Sequence, residues 1–352
     1  MQRRQFIRQS AVLSALAPLL PWLNKKLQTS MGIVVHSYAF RWQARQASAA
    51  YPPMTDAMQL LTHAHKIGAG GVQAVVNDWT IAMAHAIRAY TEQHKLFFEA
   101  SIALPKQEGD LDHFAKNILH AREAGCDVVR TVCLSGRRYE NFKSLDEFNA
   151  FKEQSLNAIR LAMPVVQKFN MKLAIENHKD WLAGELVELI KKFDHPLLGV
   201  TLDFGNNLAL LEDPPQVVET LAPYAFTTHV KDMGVDQYPD GFLLSEVVLG
   251  QGLCPLQKMV TICRQHNPAI RFNLEMITRD PLKIPCHKDT YWATFGEKNT
   301  TALQTTLDLV QKNKQPLTYV ADLTSDDQHA IEEKNVLNCL KFAHKSLHLV
   351  KL

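Results

Sequence analysis

The sequence predicts an α/β fold, a single (β/α)8 TIM barrel with an extra C-terminal helix, and three observations carry that reading. Short β-branched or apolar runs alternate with longer segments of helical period, the pattern of a parallel sheet with helical crossovers. Eight such units fit in one chain of 352 residues. Four consecutive later strands end in ionisable residues that strand parity turns toward the barrel axis.

The strands are expected at Ile33 to Tyr38, Val72 to Val76, Leu96 to Ser101, Asp127 to Cys133, Lys172 to Glu176, Leu198 to Asp203, Phe226 to Lys231 and Arg271 to Glu275. Between them, Thr55 to Lys66, Leu111 to Ala124, Leu145 to Lys168 and Pro214 to Leu221 have helical periodicity, several opening on a capping residue or on Pro in the first turn. An open doubly wound sheet is the alternative, but no Gly-rich phosphate loop follows the first strand. Beyond the eighth strand, Arg279 to Asn299 reads as a long structured loop. Helices follow near Thr301 to Gln311 and at about Asp326 to His348, the last packed on the outside.

Composition narrows the function. Lys+Arg 38 nearly balances Asp+Glu 36, and basic residues are scattered rather than massed into a stripe, which disfavours nucleic acid as a partner. No stretch after residue 30 approaches the roughly 18 apolar residues of a membrane span. The six cysteines form no CxxC pair, so they read as core or surface thiols. Residues 1–30 form a separate segment, with 31–352 left for the barrel. Arg3-Arg4-Gln5-Phe6-Ile7-Arg8, the apolar run Ala11 to Leu23 and Lys25-Lys26 resemble a twin-arginine export signal, which implies a periplasmic protein folded before export. The alternative is a cytoplasmic protein with a basic first helix. Pro18 after Ala15-Leu16-Ala17 should hinder cleavage, which would leave the segment as a membrane anchor.

Parity locates the chemistry. Phe272 and Leu274 suit the helix side of their strand, so Asn273 and Glu275 face inward. Likewise Thr201 and Asp203 face inward, as do Ala174, Glu176 and His178, and as do His229 and Lys231. Unpaired charges there would cost several kcal/mol, so they must be paired, neutralised or bound to a cation. Three carboxylates and one imidazole make an oxygen-rich set suited to Mn²⁺ or Mg²⁺, with Co²⁺ and Zn²⁺ as further candidates.

Leu173-Ala-Ile-Glu-Asn-His178, Gly199-Val-Thr-Leu-Asp-Phe-Gly205, Thr228-His-Val-Lys-Asp232 and Asn273-Leu-Glu275 resemble the metal-binding strand ends of the xylose isomerase-like sugar isomerase/epimerase superfamily. The likeness runs from about Gly32 to Val310. It implies that Glu176, Asp203, His229 and Glu275 bind the metal and that Glu176 and Glu275 exchange the substrate proton. Asn206 departs from the pattern, because many relatives carry His three residues after the Asp.

The chemistry expected is isomerisation or epimerisation of a small carbohydrate through a metal-stabilised enediolate. The same site on a keto-sugar or keto-glycoside with a leaving group would give a lyase or dehydratase, and a non-catalytic sugar-binding protein is the third reading. His178 and Lys231 are expected at substrate hydroxyls or the developing oxyanion, Arg137 at an anionic substrate group, and Glu246 in the cleft-closing loop Gly241 to Gly252. Glu99 and Arg130 are expected to pair with each other, and His36 is read as an interior, hydrogen-bonded histidine. A DNA-nicking metalloenzyme of this fold would need more strand-end histidines and a basic track.

Overall fold

The computed structural model describes residues 28–42, 44, 48 and 50–351. The expected export signal and its Ala15-Leu16-Ala17 site lie outside the described residues. Thr29 and Ser30 are already tied to the barrel: the Thr29 N–H donates to the Gly68 carbonyl at 2.8 Å and the Ser30 N–H to the Leu349 carbonyl at 3.0 Å.

In chain order the strands are β1 (Gly32–Val34), β2 (Gly71–Val75), β3 (Phe97–Ser101), β4 (Val128–Thr131), β5 (Lys172–Glu176), β6 (Leu198–Asp203), β7 (Ala225–Val230), β8 (Asp232–Tyr238), β9 (Gly241–Val247), β10 (Arg271–Leu274) and β11 (Leu282–Ile284). Eight of them close a parallel barrel in the order β1-β10-β7-β6-β5-β4-β3-β2. The helices are α1 (Ala57–Lys66), α2 (Ile81–His94), α3 (Leu111–Glu123), α4 (Arg138–Asn141), α5 (Leu145–Lys168), α6 (Ala183–Phe193), α7 (Pro214–Leu221), α8 (Leu256–His266), α9 (Asp289–Trp292), α10 (Thr300–Asn313) and α11 (Ser325–Lys345). The chain therefore folds as the TIM barrel its pattern predicts, with α11 as the extra helix. Among the described residues no helix is long and apolar enough to cross a membrane.

Local chemistry explains the boundaries. The Asp56 side chain accepts from the Gln59 N–H at 2.9 Å and starts α1, Ser144 caps α5, and Asp213 with Pro214 starts α7. Val72, Phe98, Val129, Leu173, Ile175, Val200, Leu202, Val230 and Leu274 are buried on the helix-facing side of the strands. Each such side chain contributes roughly 1.5–3 kcal/mol by leaving water.

Phe97, at the start of β3, packs its ring against two glycines at the N-terminal end of the barrel. A Cβ added to Gly32 would sit 2.5 Å from its ring Cζ and one on Gly71 2.6 Å from its Cγ, so only glycine admits the ring at these two places. The Arg271 guanidinium lies over the same ring, 5.2 Å from its centroid.

Two segments differ from expectation. The strand expected over Ile33 to Tyr38 stops at Val34, and Val35–Tyr38 form a 3-10 turn. There the Ser37 hydroxyl donates to the Leu274 carbonyl at 2.9 Å and accepts from the Met276 N–H at 3.0 Å, replacing the backbone ladder with a side-chain link to the end of β10. The loop expected over Gly241 to Gly252 is largely strand: β8 and β9 form an antiparallel hairpin, and β11, inside the loop expected after residue 279, pairs with β9. The chain passes from β7 through Lys231 into β8 without a turn, so the sequence offers no punctuation there. The Asp232 carboxylate accepts from the N–H groups of Gly250, Gly252 and Cys254 at 2.8, 2.9 and 3.0 Å, tying the end of this excursion to its start.

Candidate metal centre

β5, β6, β7 and β10 are consecutive neighbours in the barrel, and each delivers one donor at its C-terminal end. One ligand atom each from Glu176, Asp203, His229 and Glu275 all lie within 4.8 Å of one another, and all four residues are buried. His229 Nδ1 is 3.5 Å from Glu176 Oε2, 3.6 Å from Glu275 Oε1 and 3.9 Å from Asp203 Oδ2. It has no hydrogen-bond partner, which is rare for a buried polar atom. A nitrogen aimed at three carboxylates without bonding any of them, in a set of one imidazole and three carboxylates, fits a divalent cation at their centre.

The surrounding groups hold these donors in place. His229 Nε2 lies 2.7 Å from Gln73 Oε1, and since an amide oxygen only accepts, Nε2 carries the proton. Gln73 Nε2 donates to Glu99 Oε2 at 3.1 Å, which fixes the amide's orientation. Glu99 also accepts from Thr227 at 2.8 Å and Asn273 at 3.0 Å, forming a polar layer one step below the ligands. Asp203 Oδ1 accepts from the N–H groups of Gly205 and Asn206, and Asn177 bonds both the N–H and the carbonyl of Asp203.

Arg130 corrects one expectation. Its Nε donates to Glu176 Oε2 at 2.7 Å, and Glu99 pairs elsewhere. Strand register is the reason: Arg130 stands opposite Ser101, two residues nearer the mouth than Glu99, and its guanidinium meets the end of β5. Asn206 occupies the position expected to weaken the family pattern, yet it is part of the site. Its Nδ2 donates to Glu176 Oε1 at 3.0 Å, and its Oδ1 accepts from Lys231 at 3.2 Å and from Lys179.

Lys231 lies 2.6 Å from Glu275 Oε2 and 2.9 Å from Asp203 Oδ2, the latter without the alignment of a hydrogen bond. Burial would raise the Glu275 carboxyl, but Lys231 and His229 outweigh it and hold it well below the usual carboxylate range. Arg130 and His229 do the same for Glu176. Burial raises Asp203, with Lys231 opposing. Burial also disfavours a charged His229, but Glu176 and Glu275 prevail and lift it to about 10 in the protein without a metal. Burial and then nearby Lys231 bring Lys179 down to about 8.

Of the residues expected at the substrate, Lys231 and Glu246 are brought to the mouth of the site. Lys231 Nζ is 3.9 Å from Glu246 Oε1, and Glu246 receives both Nε and Nη2 of Arg279, at 3.1 and 2.5 Å. His178 donates through Nδ1 to the Leu134 carbonyl at 3.0 Å and is pushed down to about 3 by burial, so it is a neutral imidazole. Arg137 turns instead to its own helix and clamps Glu140 one turn on, at 2.6 Å. Its neighbour Arg138 is the buried one, packed 3.6 Å from the Phe148 ring centroid and paired with Glu185 at 2.7 Å. His36 is hydrogen-bonded as expected, to Glu275 Oε1 at 3.1 Å, but is not interior: its side chain is 44% exposed. Sequence reasoning does not single out Gln73, Lys179, Asn206 or Arg279 as site residues. Only Gln73 carries a usable signal, the parity of Gly71-Val-Gln-Ala. A cavity of about 920 Å³ lies outside the barrel and is lined from α6, α7 and α10, away from this chemistry.

A closed eight-stranded barrel with a potential metal site at the C-terminal ends of its strands is the architecture of a TIM-barrel enzyme class. Residues 61–297 match the model of the xylose isomerase-like TIM barrel, and the chain belongs to that family. It is 25% identical over 225 residues to the 3-oxo-isoapionate decarboxylase of Pectobacterium atrosepticum, covering 63% of this chain and 77% of that protein. Among solved structures it resembles a D-psicose 3-epimerase crystallised in the presence of D-fructose, with TM-score 0.60 and 13% identity over 90% of this chain and 99% of the other. It also resembles a xylose isomerase-like TIM-barrel protein from Mycobacterium smegmatis in complex with magnesium, with TM-score 0.53 and 14% identity over 80% and 98%. At these identities the two structures speak to the fold.

Proposed function

We propose that the protein is a metal-dependent sugar isomerase or epimerase. The observation that carries this reading is that two glutamates flank one cation site and are held by different partners, Glu176 by Arg130 and Asn206, Glu275 by Lys231 and His36. When bound, a divalent cation, Mn²⁺ or Mg²⁺ foremost, would supply Lewis-acid stabilisation of negative charge developing on neighbouring substrate oxygens. Lys231 and His229 keep Glu275 ionised, so that it can serve as the base. Glu275 takes the proton from the hydroxyl-bearing carbon next to the carbonyl and, through His36, has a hydrogen-bonded link to solvent. Glu176, with both oxygens engaged inside the site, must first take up a proton, and then returns it on its own side to give the epimer; Glu275 handing its own proton to the neighbouring carbon gives the isomer. Lys231 also places an ammonium beside the developing oxyanion.

A lyase is the second reading, favoured by the similarity to a protein named as a decarboxylase. Breaking a bond next to the same stabilised carbanion needs no different ligand set. Incubating the manganese-loaded protein with keto-sugars in D2O and following them by NMR tests both. Deuterium entry with a new epimer or isomer supports the isomerase, and loss of a fragment supports the lyase. A tightly bound sugar with neither change would overturn both and leave a binding protein.

A further inference from the structure

Four carboxylates and four lysine or arginine cations meet at the mouth of this site, and among the described residues only one of these four lacks an acidic partner. Arg130 pairs with Glu176, Lys231 with Asp203 and Glu275, and Arg279 with Glu246. Lys179 is 4% exposed, and among the described residues its ammonium meets no carboxylate at ion-pair distance. It donates to Asn206 Oδ1, an oxygen that Lys231 also uses. One neutral amide shared by two ammonium groups cannot balance the second charge, and a buried uncompensated cation is costly.

The backbone is unusual at the same residue. Lys179 has φ +81°, a left-handed conformation disfavoured for a long side chain, three residues beyond the ligand Glu176. Its carbonyl accepts the Arg138 N–H at 3.0 Å, so the loops after β4 and β5 jointly hold that conformation. The chain is bent to bury a lysine where it has no acid to meet. Four carboxylates only balance the four lysine and arginine charges, so a divalent cation taken up by the three ligand carboxylates would leave the cluster with an excess of positive charge.

We propose that Lys179 binds a carboxylate carried by the substrate, so that the site takes keto-sugar acids in preference to neutral ketoses. This rests on the reading of the site as one that binds a keto-sugar beside a cation. Lysine suits such a role because it is a compact charge whose remaining N–H donors are free once Asn206 is satisfied.

The test compares 2-keto-D-gluconate with D-fructose, which share a carbon skeleton and differ in whether C1 is a carboxylate or a hydroxymethyl group. Calorimetry on the manganese-loaded protein should find the acid bound at least ~10-fold more tightly, the effect of one charge-assisted hydrogen bond. Lys179→Gln should bring the two within about 2-fold of each other by lowering acid affinity alone, and Lys179→Arg should keep part of the preference. Equal binding by the unaltered protein, including no measurable binding of either ligand, would overturn the proposal without recourse to a variant. A preference that survives Lys179→Gln overturns it as well. Deuterium exchange in the same samples separates the two readings. Acid preference without exchange sinks the proton-transfer function and leaves this inference standing, while exchange into fructose without acid preference does the reverse.

Discussion

Replacing Gln73 with leucine tests whether the orientation of His229 is what prepares this site for a cation. Gln73 touches none of the three ligand carboxylates. It accepts from His229 Nε2 at 2.7 Å and thereby leaves Nδ1 facing Glu176, Asp203 and Glu275. Leucine is similar in size but offers no acceptor, so the imidazole loses both its tautomer preference and its anchor. Loss of such an outer hydrogen bond typically weakens metal binding 10–100-fold, about 1.4–2.8 kcal/mol. The fold should suffer less. Glu99 loses the Gln73 donor but keeps Thr227 and Asn273, so a stability cost on the order of 1 kcal/mol is expected for the metal-free protein. Competition calorimetry with Mn²⁺ and a chelator measures the first effect and urea unfolding without metal the second. His229→Ala should abolish binding and sets the scale. If Gln73→Leu binds Mn²⁺ within about 2-fold of the unaltered protein, the amide does not set the imidazole and the reasoning fails.

Three further outcomes are expected. Glu176→Gln and Glu275→Gln should each lower turnover at least ~100-fold with modest loss of binding. Only Glu176→Gln, which keeps the Glu275–His36 link, should still let D2O exchange the substrate proton; near-normal turnover in both would make the glutamates structural. Glu332, a buried residue of α11 that accepts the Phe40 and Arg41 N–H groups, is raised by burial to about 8. The folded state then holds more protons than the unfolded one between the ordinary glutamate range and about 8, so stability should fall as pH rises through that window, by up to a few kcal/mol. Urea midpoints at about pH 5.5 and 8.5 should converge in Glu332→Gln, and an unchanged slope would refute the assignment. Export is proposed from sequence alone: Arg3→Lys with Arg4→Lys should hold the protein in the cytoplasm, and unchanged periplasmic recovery would show the leader to be misread.

The convergence of Glu176, Asp203, His229 and Glu275 was legible because strand parity is a local property. Apolar Leu202 and Leu274 face the helices, so Asp203 and Glu275 must face inward, whatever the rest of the chain does. The partner of Arg130 was not legible in that way, since it depends on where β4 stands relative to β3, and register between strands leaves no mark within either strand. Lys179 lies beyond the end of its strand, where alternation has stopped and a left-handed backbone redirects the side chain. The hairpin of β8 and β9 escaped because nothing between Val230 and Asp232 breaks the extended pattern. Asn206 was visible as a departure from the family motif, but its role depends on two lysines that meet it only in the folded chain.

The seating of Phe97 against Gly32 and Gly71 bears on how the proposed site would be filled. With Phe97 packed across the far end of the barrel, the proposed site would be reached by ion, sugar and product from the C-terminal mouth. The ligand donors lie deepest and the lysines above them, so whatever binds at Lys179 and Lys231 covers the ion beneath. On the proposed function, loading would then have a fixed sequence, ion first and sugar second, and unloading would run in reverse. An ion held under a bound sugar should escape to a chelator only as fast as the sugar itself departs.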